Sequence, residues 1–255
     1  MTELLNLIYN PELPESSRLD IFLPDEASPQ ALLLHFHGGG LEEGDRTVDP
    51  DTLEVLLASG IAVATASYRL YPSAKFPDFV NDAAAATAFI KAYMKQHYPD
   101  RLLLVGGTSA GAYLSQMLYF NPVYLAAYGL APDDIDGWLF DGGQPTVHYN
   151  VLRERGLNTG LVRVDEASPL YYVGLPRAAR RQSPLLFLLA QHDIPGRLEQ
   201  TRLLIKTMEV AQFDMDQVKL RIIPDVTHSA YRLDSWVIKL AQWAAGDCSA
   251  ADLSD

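Results

Sequence analysis

A series of short apolar runs punctuates this 255-residue chain, and several of them lack the apolar–polar alternation that a strand with one wet face would show. The runs cover 19–23, 31–37, 61–68, 101–106, 135–140, 185–190 and 218–223, each bounded by turn residues. Strands that are apolar on both faces must be covered on both. Between them the pattern is helical: over 79–93, apolar side chains recur at Phe79, Ala83, Ala86, Ile90 and Tyr93, with Asp78 placed to cap the start and Pro99 beyond the end. The stretches 110–120, 198–208 and 230–243 have similar character. Strands alternating with helices predict an α/β architecture, a mostly parallel central sheet with helices on both faces, in one domain spanning 1–255. Sites in such sheets gather at the carboxyl ends of the strands.

Charge and composition remove several classes of function. The net charge is −12 and the Lys and Arg residues are scattered, so no basic stripe is available to track phosphates and nucleic acid is excluded as a partner. No apolar run approaches the roughly 20 residues of a membrane span, and Met1-Thr2-Glu3 does not open a signal peptide, so a cytoplasmic protein is expected. The single cysteine, Cys248, lies in a polar stretch, 246–255, expected to be a flexible tail, and rules out an intramolecular disulfide. A homo-oligomer stays open.

Within this frame one turn stands out. "LLVGGTSAGAYL", 103–114, runs from a strand pattern through glycines into a helical one, the setting in which G-x-S-x-G forms a nucleophile elbow. Gly107 and Gly111 flank Ser109 where side chains would strike the adjoining strand and helix, and the helix that follows aims its unpaired N–H groups at the serine. The alternative is a small residue in a tight structural turn. A dinucleotide loop would need glycine at Thr108, and a phosphate loop would need lysine at Ala112.

A second glycine cluster favours the nucleophile. In "LLLHFHGGGLEEG", 32–44, the glycines that follow a buried strand leave backbone N–H groups able to converge on one point, as an oxyanion hole requires; Gly39 and Gly40, with Ala110 after the serine, are the expected donors. His35 and His37 could instead form a metal pair, but His97, His148, His192 and His228 show no ligand-like spacing to them, so no metal is assigned.

His37-Gly38-Gly39-Gly40, then Tyr68-Arg69-Leu70-Tyr71-Pro72 with Phe76-Pro77, then Gly107-Thr108-Ser109-Ala110-Gly111, together resemble the α/β-hydrolase carboxylesterases related to hormone-sensitive lipase and the acetyl-esterase-like enzymes. The likeness extends over about Ser17 to Trp243. It implies the α/β-hydrolase fold with a small lid insertion. One departure is Thr108, where the family often has an acidic residue, and the N-terminal cap helices of many lipase relatives are not expected.

A serine hydroxyl needs a base, and the base an acid; in this fold the chain order is Ser, then Asp or Glu, then His. His228 in "IIPDVTHSAYRL" follows the last strand pattern and, given the resemblance, is assigned as general base. For the acid the resemblance favours Asp193, with Asp225 and Asp141 as alternatives. The implied activity is hydrolysis of a small-molecule ester through an acyl-serine, with no cofactor; an amidase, arylformamidase or peptidase of the same fold, or a catalytically silent binding protein, are the other readings. The stretch 142–182 is the expected lid or substrate wall, with His148, Tyr149, Tyr171 and Tyr172 as candidate lining residues and Ala167-Ser168-Pro169-Leu170 as a structural segment shared with related esterases.

Overall fold

In the computed structural model, which describes residues 1–25, 28–175 and 182–253, the apolar runs assemble into an eight-stranded sheet. Its strands are β1 (Thr2–Ile8), β2 (Arg18–Leu23), β3 (Ala31–Phe36), β4 (Ile61–Ala66), β5 (Leu102–Thr108), β6 (Gly137–Asp141), β7 (Leu185–His192) and β8 (Val218–Thr227). They lie in the order β1-β2-β4-β3-β5-β6-β7-β8, antiparallel from β1 through β4 and parallel from there on. The helices are α1 (Pro50–Ala58), α2 (Asp78–His97), α3 (Ala110–Phe120), α4 (Val123–Ala126), α5 (Tyr149–Glu154), α6 (Pro169–Tyr172), α7 (Arg197–Val210) and α8 (Asp234–Ala245).

The central strands lack alternation because both their faces are dry. Leu32, Leu34 and Phe36 of β3 enter one core with Phe79, Tyr113 and Met117 of α2 and α3, whereas Ala31 and Leu33 enter a second core with Leu56 of α1 and with Val237 and Trp243 of α8. Successive side chains of a strand point to opposite faces, so one run feeds two cores. β1 has no such signature: it is an edge strand whose residues are mostly exposed, so no apolar run marks it. Helix α1 starts where Asp49 accepts the Thr52 N–H at 2.8 Å and Pro50 takes the first turn. Asp78, expected as a cap, is instead the first residue of α2 and accepts the Lys75 N–H.

The expected lid, between β6 and β7, is only partly a cover. Residues 142–148 are buried, and α5 and α6 follow; 176–181 lie outside the described residues. The expected tail carries a 3-10 turn, Ala250–Leu253, whose Leu253 is fully buried beside α8, while 254–255 lie outside the described residues.

The segment between β4 and α2 braces the loop after β3. Arg69 Nε and Nη2 each reach an oxygen of Asp82 at 2.8 Å, and the Arg69 N–H donates to the same carboxylate at 2.9 Å. Asp82 is 3 % exposed, so removing the guanidinium leaves a buried carboxylate short of partners. Arg69→Ala should cost about 2 to 3 kcal/mol, a little under the usual figure for a fully buried pair because Arg69 keeps some water contact; urea unfolding measures it.

Candidate active site

Five strand ends converge. In the parallel part of the sheet, Phe36 of β3 pairs with Gly107 of β5, Thr108 of β5 with Asp141 of β6, and His192 of β7 with Thr227 of β8. Each of the residues just beyond, His37, Ser109, Gly142, Asp193 and His228, therefore emerges on the same edge. Ser109 Oγ lies 2.9 Å from His228 Nε2, and the ring's Nδ1 lies 2.7 Å from Asp193 Oδ1. Of the three candidate acids, Asp193 is the one on the ring nitrogen. Asp225 is exposed on β8, where its N–H meets the Gln191 side chain, and Asp141 is bound by Tyr231.

The glycines are required by contact. A Cβ on Gly111 would fall 2.0 Å from the Phe36 carbonyl oxygen, and one on Gly107 would fall 2.4 Å from the Gly111 carbonyl carbon. With neighbours that close, β3, the turn and α3 pack backbone against backbone. Ser109 has φ 55° and ψ −109°, a conformation that side-chain-bearing residues rarely adopt and that typically costs about 1 to 3 kcal/mol. That strain is held by Ser109 N–H donating to the Asp141 carbonyl at 2.7 Å.

Beside the serine runs the loop after β3. A Cβ on Gly38 would lie 3.5 Å from Ser109 Cβ. Among the described residues the N–H groups of Gly39 and Gly40 have no acceptor, and Ala110, the first residue of α3, has none within its helix. His37 is stacked on Tyr68 at 4.3 Å, and Tyr68 Oη donates to the His37 carbonyl at 2.9 Å. His37 Nδ1 contacts the Gly38 carbonyl and His35 Nε2 contacts Thr108 Oγ1 at 3.2 Å, so the two histidines face different partners. No group of three or more metal-ligating side chains occurs among the described residues.

Asp193 is electrostatically suited to support an imidazolium. Burial raises its carboxyl, but the hydrogen bond and charge of His228 and the N–H groups of Ile194 and Ala190 outweigh that, holding it below the usual carboxylate range.

The candidate wall residues separate. Tyr149 stands over the glycine loop, its hydroxyl where a Cβ of Gly40 would be, and Arg153 lies 5.9 Å from its ring centroid while pairing with Glu42 of that loop. His148 is buried beneath it, capping α5 by accepting the Asn150 N–H, with burial pushing its ring well below the usual imidazole range. Tyr171 and Tyr172 do not line the serine: Tyr172 meets Asn121 and the Glu166 carbonyl, and Asn121 sits at the other end of α3, about 18 Å of helix from Ser109. Tyr171 is half-exposed against Tyr172. Sequence reasoning missed Arg197, buried at the start of α7 and donating to the Gly142 carbonyl, and Tyr231, whose only sequence signal is its place three residues after His228.

A mostly parallel eight-stranded sheet with a serine turn after β5 and an acid and a histidine after β7 and β8 is the α/β-hydrolase fold. Solved structures similar to this chain share that fold. Residues 19–122 match the family model described as BD-FAE, a stretch holding the glycine loop and Ser109 but ending before Asp193 and His228. Esterase LipI of Mycobacterium tuberculosis is 32% identical over 97 residues, 37% of this chain and 30% of that protein. The FAD-linked oxidoreductase pytB of Aspergillus terreus is 32% identical over 93 residues, 36% of this chain. The chain thus spans 11% and 30% of the length of these curated relatives. Among solved structures, a truncated carbohydrate esterase from gut microbiota superposes with a TM-score of 0.76 at 16% identity, covering 96% of this chain and 97% of that one. Esterase B of Lactobacillus rhamnosis gives 0.73 at 15% identity, over 96% of this chain and 87% of that one. No helix among the described residues is long and apolar enough to cross a membrane.

Proposed function

We propose that this chain is a serine carboxylesterase that cleaves short-chain esters of small molecules through an acyl-serine intermediate, of the hormone-sensitive-lipase-like kind. The observation that carries it is the unbroken line from Ser109 Oγ through His228 to Asp193, at 2.9 and 2.7 Å. Ser109 Oγ attacks the ester carbonyl as His228 Nε2 takes its proton, and Asp193, ionised throughout, holds the ring and balances its charge. The N–H groups of Gly39, Gly40 and Ala110 receive the oxyanion, a service worth about 3 to 4 kcal/mol per donor. His228 then protonates the leaving alcohol, and water, deprotonated in turn by His228, releases the acid and restores Ser109. The named esterases among its relatives support this class of reaction.

A fluorophosphonate should add once, at Ser109, and not to Ser109→Ala; intact mass reads both, and a folded chain without an adduct would sink the assignment. Chain length follows from the wall. Each buried CH₂ adds about 0.8 kcal/mol only where an apolar groove receives it, and the residues over the glycine loop are Tyr149 and Arg153, the latter paired with Glu42 of the loop. Acetyl to butyryl p-nitrophenyl esters should therefore give the highest kcat/KM; a maximum at ten carbons or beyond would contradict this.

A further inference from the structure

We propose that Asp141 is a positioning residue for this reaction, one that ties the turn carrying Ser109 to the loop carrying His228 and must be ionised to do so. The proposal rests on the roles assigned to Ser109 and His228 above.

Asp141 closes β6 and is 1 % exposed. Its carbonyl takes the Ser109 N–H at 2.7 Å, and its carboxylate takes the Tyr231 phenol. Thr108 precedes the nucleophile, and Tyr231 lies in the same loop as His228. One residue thus bonds once to the serine turn and once to the histidine loop. Gly142, next in the chain, donates to Leu188 of β7 at 2.9 Å and abuts the His228 ring, where a Cβ would fall 2.7 Å from Cε1. Any shift at the end of β6 would be felt by both reacting side chains. On its other side, Thr108 Oγ1 lies 3.2 Å from His35 Nε2.

The charge state enters through donor counting. A carboxylate only accepts, and the Tyr231 phenol donates to it; a protonated carboxyl has an O–H of its own to place. The groups facing Asp141 are Tyr231 and His228 from the histidine loop, Thr108 from β5 and Asp193 from the turn after β7, with His35 of β3 behind Thr108. Burial, reinforced by the Asp193 charge, pushes the carboxyl up to about 6 against the pull of Tyr231, Thr108 and His228. Burial and the neighbouring His37 push His35 down to about 4, which leaves it neutral in that range. Acidification through pH 6 therefore protonates Asp141 and loosens the tie.

The test is the acid limb of kcat/KM for p-nitrophenyl acetate. In the parent protein the limb should steepen below about pH 6, where Asp141 takes up its proton. In Asp141→Asn that added steepness should be lost, with kcat lower by about tenfold to a hundredfold and KM within about twofold, as expected when reacting groups are misplaced but binding is kept. Tyr231→Phe removes a bond that lowers the Asp141 pKa, so its limb should move to higher pH with a smaller loss of kcat; it carries the test if Asp141→Asn does not fold. An acid limb of the same shape in the parent protein and in Asp141→Asn, or a loss of kcat in both variants with an unchanged limb, would overturn the proposal. Fluorophosphonate labelling of Ser109 in every variant separates that failure from failure of the esterase assignment, in which no variant would label.

Discussion

Ser109→Ala should lower kcat on a short ester by about four to six orders of magnitude, and His228→Ala should match it. The two side chains act as one unit, so losing either leaves only what binding and the oxyanion donors supply. Asp193→Asn should be somewhat less severe, about 10⁴-fold, because the acid orients the ring and balances its charge without taking its proton. Asp225→Asn should be near neutral, since its side chain is exposed and His228 Nδ1 is already engaged. Steady-state kinetics on variants with matched melting temperatures decide it. An Asp225→Asn loss greater than that of Asp193→Asn would reverse the assignment of the acid.

Gly111→Ala should destabilise the fold itself. The added methyl would sit 2.0 Å from the Phe36 oxygen, 2.5 Å from its carbon and 2.7 Å from the His37 oxygen, all of them backbone, so no side chain can swing aside. Relief requires moving α3 away from β3, which should cost about 3 kcal/mol and lower Tm by about 6 to 12 °C. The same substitution at Gly174, where a Cβ would meet nothing within 4 Å, serves as the control and should leave Tm unchanged. Equal melting of the two variants would mean that the elbow tolerates a wider separation than its geometry implies. The two effects are distinct in kind, because Ser109→Ala should leave Tm near or above that of the parent protein.

What could be read without coordinates was local. Apolar runs without alternation marked β3, β4, β5 and β7 as strands covered on both faces, and the strand, glycine turn and helix around Ser109 lie within a dozen residues, where steric rules act directly. β1 escaped because an exposed edge strand buries too little to leave an apolar pattern. The polarity of 142–148 suggested a surface wall, yet those residues are buried, their polar groups satisfied inside: Gln144 donates to the Val147 carbonyl, and Thr146 to Gln200. Tyr171 and Tyr172 had the composition of a pocket wall but not its place, since where the segment lands is set by what it packs on.

By itself the sequence marked most of the strands and helices and the glycine turn around Ser109, because each depends on residues that are neighbours in the chain. Only the tertiary structure decided which carboxylate meets His228. Asp225 is three residues away in the chain and faces solvent, whereas Asp193, 35 residues away, lies on the ring because β7 and β8 run parallel in a register that pairs His192 with Thr227. Likewise Asp141 is 90 residues from Tyr231, and no local pattern joins them. A hydrogen bond forms between groups that strand order brings to one edge, and strand order is a property of the whole sheet.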